Sequence, residues 1–226
     1  ENEVDLIEIG MPYSDPLADG PTIQESSKQA LANGMNLKML FEELADLRKI
    51  TQKPVLLMGY SNNVLQYGVE KFCTQCHEVG IDGLILPDMP LPEYKIHFAS
   101  YFEKYQLKNV FLVTPKTSEQ RIREIDEQKG GFIYMVSSSS TTGGSWQNSP
   151  ERLNYLKRIQ QMQLETPRMV GFGIQDKTAF DLVNQYTNGA IVGSAFIKAL
   201  DKDQLEKSIH SFINNIRHQQ KEDQLT

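Results

Sequence analysis

The sequence predicts an α/β fold of the phosphate-binding (β/α)8 barrel type, and three observations predict it. Seven short apolar runs recur along 226 residues, amphipathic stretches separate them, and the polar and Gly-rich segments gather after the runs. The runs span 4–10, 54–60, 83–88, 109–115, 131–137, 168–174 and 189–195. Each is nearly continuous in apolar character, which suits strands buried on both faces of a parallel sheet. A closed barrel takes ~250 residues, roughly 31 per βα unit, so this length matches seven units. An open doubly wound sheet shares the alternation; the glycine turns that end both of the last two runs favour the barrel.

Between the runs, Leu37, Leu40, Phe41, Leu44 and Leu47 fall at spacings of three and four and predict one helix. Phe98, Tyr101, Phe102 and Tyr105 predict a second, and Leu205, Ile209, Phe212, Ile213 and Ile216 the last. No linker or composition break divides the chain, so residues 1–226 are expected to form a single barrel domain. Its first strand and helix are expected to be missing.

Hydrophobic residues make up 39% of the chain, enough for a sizeable core. A net charge of −6 and a pI near 5.3 argue against a nucleic-acid backbone as the main partner. No apolar run approaches the ~20 residues of a membrane span, and the first residues lack the basic region of a secretory signal. Two cysteines make no disulfide framework, so a cytoplasmic location is expected. Cys73-Thr74-Gln75-Cys76-His77 matches the c-type haem pattern, yet Val69, Phe72, Cys73, Cys76 and Val79 form one helical stripe. Both thiols are therefore expected in the core. His97, His210 and His218 lack zinc-ligand spacing.

Chemistry concentrates in IEIGMPYSDPLADGPTIQ, residues 7–24. Glu8 sits inside an apolar strand, where low dielectric raises a carboxyl pKa toward the range of a general acid or base. Asp19, before Gly20 and Pro21, reads by itself as a helix N-cap, and Asp15 as a turn former. The turns Gly171-Phe172-Gly173-Ile174 and Gly193-Ser194-Ala195 offer bare backbone N–H groups to a phosphate, with the Ser194 hydroxyl added. Residues 137–150 are rich in small residues and follow a strand, which suits a lid over the mouth.

Together, IEIGMPYSDPLADGPTIQ, GLILPDMP, GFIYMVS with the later TTGG, VGFGI and GAIVGSAFIK resemble the tryptophan synthase alpha chain family, in order, over residues 4–198. That resemblance implies a TIM barrel lyase that cleaves indole-3-glycerol phosphate to indole and glyceraldehyde 3-phosphate in tryptophan biosynthesis. It implies Glu8 as the acid-base carboxylate and Asp19 as the anion that stabilises charge on the indole nitrogen. Gly173, Gly193 and Ser194 match phosphate contacts and Gly143 a lid position near them. Tyr134 matches a tyrosine lining the site, Thr142 the lid threonine that meets Asp19, and Leu57 and Ile85 the indole pocket. Pro12–Asp19 and Asp88–Glu93 match the face that docks onto a beta chain, in an alpha2-beta2 assembly whose pyridoxal phosphate belongs to the beta chain. No cofactor is expected in this chain. The family lid reads S-R-x-G-V-T-G, whereas residues 137–143 read SSSSTTG, without the arginine and the first glycine. The alternatives are an indole-glycerol phosphate synthase-like barrel, disfavoured because the seven runs hold no lysine, and a weakly active scaffold that activates the beta chain.

Overall fold

A computed structural model describes residues 4–16, 19–136 and 149–218. The chain divides into two compact units, Glu1–Leu112 with Ser118–Ile133, and Val113–Thr117 with Tyr134–Thr226. The first unit opens with β1 (Ile7–Gly10), α1 (Pro21–Ala32), α2 (Leu37–Glu43) and α3 (Leu47–Ile50). It continues through β2 (Val55–Met58), α4 (Ser61–Tyr67), α5 (Val69–Val79) and β3 (Gly83–Ile85). Helices α6 (Leu91–His97) and α7 (Ala99–Lys104), β4 (Lys108–Val113) and α8 (Glu119–Asp126) complete it. Strand β5 (Ile133–Val136) leads into the second unit. That unit holds α9 (Pro150–Gln161), β6 (Arg168–Gly171), α10 (Lys177–Asn184), β7 (Gly189–Ile191), α11 (Ser194–Ala199) and α12 (Leu205–Arg217).

Each of the seven apolar runs coincides with a strand shorter than the run, and only β4 starts outside it, at Lys108. In the first unit β1–β2, β2–β3 and β3–β4 pair in parallel, and in the second β6–β7 do so. The register fixes which residues share a face, because side chains alternate along a strand. Glu8 pairs with Leu56, Gly10 with Met58, Leu56 with Gly83 and Met58 with Ile85. These residues therefore lie on one face. Ile7, Ile9, Val55, Leu57, Leu84 and Leu86 take the other, where they pack with Phe41, Phe72, Cys73, Cys76 and Phe102 from the helices.

The stripe from Leu37 to Leu47 forms two helices, not one. Asn36 caps α2 by accepting from the Met39 N–H at 3.1 Å; the chain then turns at Leu44–Asp46 before α3. The break keeps Leu40, Phe41 and Leu47 all buried. On α5 both cysteines are fully buried, as the stripe predicts. Burial pushes the Cys73 thiol up to about 12, and Cys76 is raised the same way, so neither sulfur is a ready nucleophile or ligand. Strand β4 begins at Lys108, one residue before the apolar run, but this lysine is exposed at the strand's amino end. Strand-end catalysis in such barrels uses the carboxyl end.

A single side chain ties α3, β2 and β3 together. Arg48 donates Nε to the Gly80 carbonyl at 2.8 Å and Nη1 to the Lys53 carbonyl at 2.8 Å, and its Nη2 reaches Gly80 and the Asp82 carboxylate. Asp82 also accepts from the Val55 N–H at 2.7 Å, at the start of β2. A side chain on Gly80 would collide with Arg48, its Cβ 2.6 Å from Cγ. Arg48→Met keeps the stem and strands these acceptors, so it is expected to lower unfolding stability by roughly 2–3 kcal/mol. The urea midpoint at an unchanged slope checks this.

Candidate active site

The acid part of the site belongs to the first unit. Glu8 lies midway along β1, and its Oε2 is buried without a hydrogen-bond partner. Burial first, and the negative charge of Asp19 second, push its carboxyl up to about 7. A carboxyl poised there both gives and takes a proton near neutrality.

Asp19 does not cap α1. Gly20 holds the cap position with no side-chain bond, and Pro21 begins the helix. The Asp19 carboxylate instead accepts from the Tyr60 hydroxyl at 3.3 Å. Burial raises its pKa, and the Tyr60 hydrogen bond pulls it partly back. Its backbone is fixed on both sides: Gln24 Nε2 donates to the Asp19 carbonyl at 2.9 Å, and Asp19 N–H donates to the Pro16 carbonyl at 3.0 Å. Asp15 is exposed and accepts from the Ser14 hydroxyl at 2.6 Å, a local turn contact.

The apolar residues separate by face. Ile85 is fully buried on the Glu8 face. Leu57 is on the opposite face, inside the helix-packed core, because it pairs with Ile9 and Leu84 and not with Glu8's row. Leu56 and Met58 are the β2 residues on Glu8's face. Met58 is only half-buried, whereas Leu57 has no exposed surface. A continuous apolar run carries no signal of which alternate residues face which way. Tyr60 also escaped the sequence reading; its position two residues past the end of β2 was the available hint.

In the second unit, β6 ends at Gly171 and the chain turns through Phe172 and Gly173, at φ of +89° and +76°. Glycine takes such an angle freely, but for Phe172 it is strained. Tyr134, nearly fully buried on β5, lies against this turn, its ring edge-on to Phe172 at 6.2 Å between centroids. A Cβ on Gly171 would stand 2.0 Å from the Tyr134 hydroxyl, so only glycine admits that ring. Gly193 precedes α11 with no side-chain cap, and Gly193 and Ser194 are exposed. Their backbone N–H groups belong to a helix start, where amides lack partners within the helix. Thr142 and Gly143, with residues 137–148 of the expected lid, lie outside the described residues.

A parallel βα chain with glycine turns after its last two strands has the plan of a (β/α)8 barrel, and the comparisons define it further. The family model for the tryptophan synthase alpha chain matches residues 1–225. The tryptophan synthase alpha chain of Flavobacterium psychrophilum is 55% identical over 213 residues, covering 94% of this chain and 84% of that relative. The tryptophan synthase A-subunit of Pyrococcus furiosus superposes with a TM-score of 0.83 at 31% identity, over 93% of this chain and 85% of that one. A chain of the tryptophan synthase complex from the same organism gives 0.83 at 30% identity, over 95% and 86%. This chain belongs to the tryptophan synthase alpha chain family, a lyase family of TIM barrel fold. Among the described residues no helix is long and apolar enough to cross a membrane.

Two outcomes follow from this geometry. Glu8 is more easily protonated folded than unfolded, so its contribution to stability is full below about pH 4.5 and is lost as pH rises through about 7. Glu8→Gln removes that loss, and the variant is expected to be more stable than the parent by roughly 1–3 kcal/mol at pH 8, with little difference at pH 4.5. Thermal melts at the two pH values check it. Gly171→Ala forces Tyr134 from its place and is expected to cost roughly 1–3 kcal/mol, read from the denaturation midpoint.

Proposed function

We infer that this chain cleaves indole-3-glycerol phosphate to indole and glyceraldehyde 3-phosphate by a retro-aldol reaction. The observation that carries the reading is Glu8, a buried carboxyl with one unpartnered oxygen and a pKa near 7, coupled to Asp19 in a chain of this family. Protonated Glu8 delivers its proton to indole C3, and the positive charge that develops at the ring nitrogen is offset by the Asp19 carboxylate. The Glu8 carboxylate then takes the proton of the hydroxyl on the carbon attached to C3. That carbon becomes the aldehyde, its bond to C3 breaks, and the electron pair returns to the ring. Glu8 ends as it began, protonated, so one acid serves both steps.

The apolar wall for indole is assigned to Ile85, Met58 and Leu56, with Tyr134 also lining the substrate. The phosphate is assigned to the backbone N–H groups of Gly173 and Gly193 with the Ser194 hydroxyl, and Gly143 and Thr142 to the lid. Residues 1–226 are read as one cytoplasmic barrel domain. Pro12–Asp19 and Asp88–Glu93 form the docking face for a beta chain in an alpha2-beta2 assembly, and pyridoxal phosphate resides in that beta chain.

The decisive assay is indole release from indole-3-glycerol phosphate by the full-length protein, with and without a beta chain. Glu8→Gln is expected to lower turnover by roughly 10²–10⁴-fold while a glycerol-phosphate ligand still binds; full retained turnover overturns the assignment. Gly193→Asp brings a negative charge to the phosphate and is expected to weaken that ligand by tenfold or more, on the order of 1.4 kcal/mol. Unchanged affinity in a titration removes the phosphate assignment.

A further inference from the structure

We propose that Tyr60 is a positioning residue for the reaction, holding the Asp19 carboxylate in place through its hydroxyl and so fixing where the anion meets the substrate. The inference rests on the function proposed for Asp19, but its structural basis is separate from that function.

The argument starts at Gly59. A Cβ there would lie 2.5 Å from Met11 Cε and 2.9 Å from Met11 Cβ, so only glycine lets Met11 close over the end of β2. Met11 N–H donates to the Met58 carbonyl at 2.7 Å, and Gly59 N–H to the Ile85 carbonyl at 3.1 Å, which extends the strand pairing past β1, β2 and β3. This brings the chain after β1 across the chain after β2. Tyr13 then stacks on Tyr60, with ring centroids 4.7 Å apart and planes at 25°. Tyr60 is left 9% exposed, its hydroxyl aimed at Asp19.

The loop is anchored on both sides of the stack. Ser27 on α1 accepts from Tyr13 N–H at 3.1 Å and donates to the Tyr13 carbonyl at 3.0 Å. Asn63 on α4 donates Nδ2 to the Pro12 carbonyl at 3.0 Å. These contacts hold the backbone, and with Gln24 they leave one described donor for the Asp19 carboxylate itself, the Tyr60 hydroxyl. Without that donor the carboxylate keeps its place in the chain but loses its direction. A misdirected anion offsets less of the charge on the indole nitrogen, which affects the chemical step more than binding.

The groups that face Asp19 are Glu8 on β1, whose own proton the Asp19 charge helps to hold, and Tyr60 after β2, which favours the Asp19 carboxylate. Gln24 on α1 is neutral and meets only the Asp19 backbone. Removing the Tyr60 hydroxyl leaves burial unopposed, so Asp19 holds its proton to a higher pH.

Tyr60→Phe keeps the ring and its stack on Tyr13 and removes only the hydroxyl. In the full chain with a beta chain, kcat for indole release is expected to fall about tenfold with KM changed less than threefold. The acid limb of the kcat profile should move up by about one pH unit. A second measurement needs no turnover: the Asp19 carboxyl carbon, followed by NMR in the full chain, should titrate at higher pH in Tyr60→Phe than in the parent. A parent chain that releases no indole would defeat the proposed function and leave the NMR comparison standing. An unshifted Asp19 titration, or a kcat and acid limb equal to the parent's, overturns the positioning role.

Discussion

The first unit and the placement of its acids depend on the register between β1, β2 and β3. Parallel pairing of Glu8 with Leu56, and of Leu56 with Gly83, commits the alternate residues of three strands to one face. A slip of one residue would send Glu8 into the aromatic and thiol-filled layer with Phe72 and Cys76, where an ionised carboxylate has no counter-charge. It would also turn Ile9 and Leu57 away from the helices that bury them. The apolar packing of one face therefore fixes the acid on the other. Arg48 strengthens the same register from its amino end, since the Asp82 carboxylate it holds also receives the first N–H of β2.

The acid's setting follows from this. Burial takes Glu8 out of water with no donor to its Oε2, and Asp19 adds like charge, so the proton is retained to near neutrality. The two carboxylates differ because Glu8 is more deeply buried and feels the Asp19 charge, whereas Asp19 has a hydroxyl partner that partly offsets its burial. Environment thus sets two chemically similar groups apart, which is how paired carboxylates take different roles.

Much of the fold was legible in the sequence. Continuous apolar runs located all seven strands, and the stripe on α5 placed both thiols in the core. What the runs did not reveal was parity: when both faces of a strand are apolar, Leu57 and Met58 look alike, and only pairing with Glu8's row tells them apart. The helix at 37–47 broke in two at a turn over Leu44–Asp46, which still leaves Leu40, Phe41 and Leu47 buried. Asp19 read as a cap because capping depends on local chain alone, whereas its partner Tyr60 is 41 residues away. Long-range hydrogen bonds leave no local signature. The membership of the family, by contrast, was carried by motif order alone.

The turn after β6 holds a lesson of another kind. Phe172 keeps an aromatic ring against Tyr134 at a backbone angle of +89° that suits glycine. Its strain is a standing load of roughly 1–3 kcal/mol on the fold. Selection for heat resistance alone would push on that load and favour residues at ease with the angle, at the expense of the ring. A thermostability campaign on this protein should therefore leave position 172 untouched, because there the backbone's preference and the side chain's placement point in opposite directions.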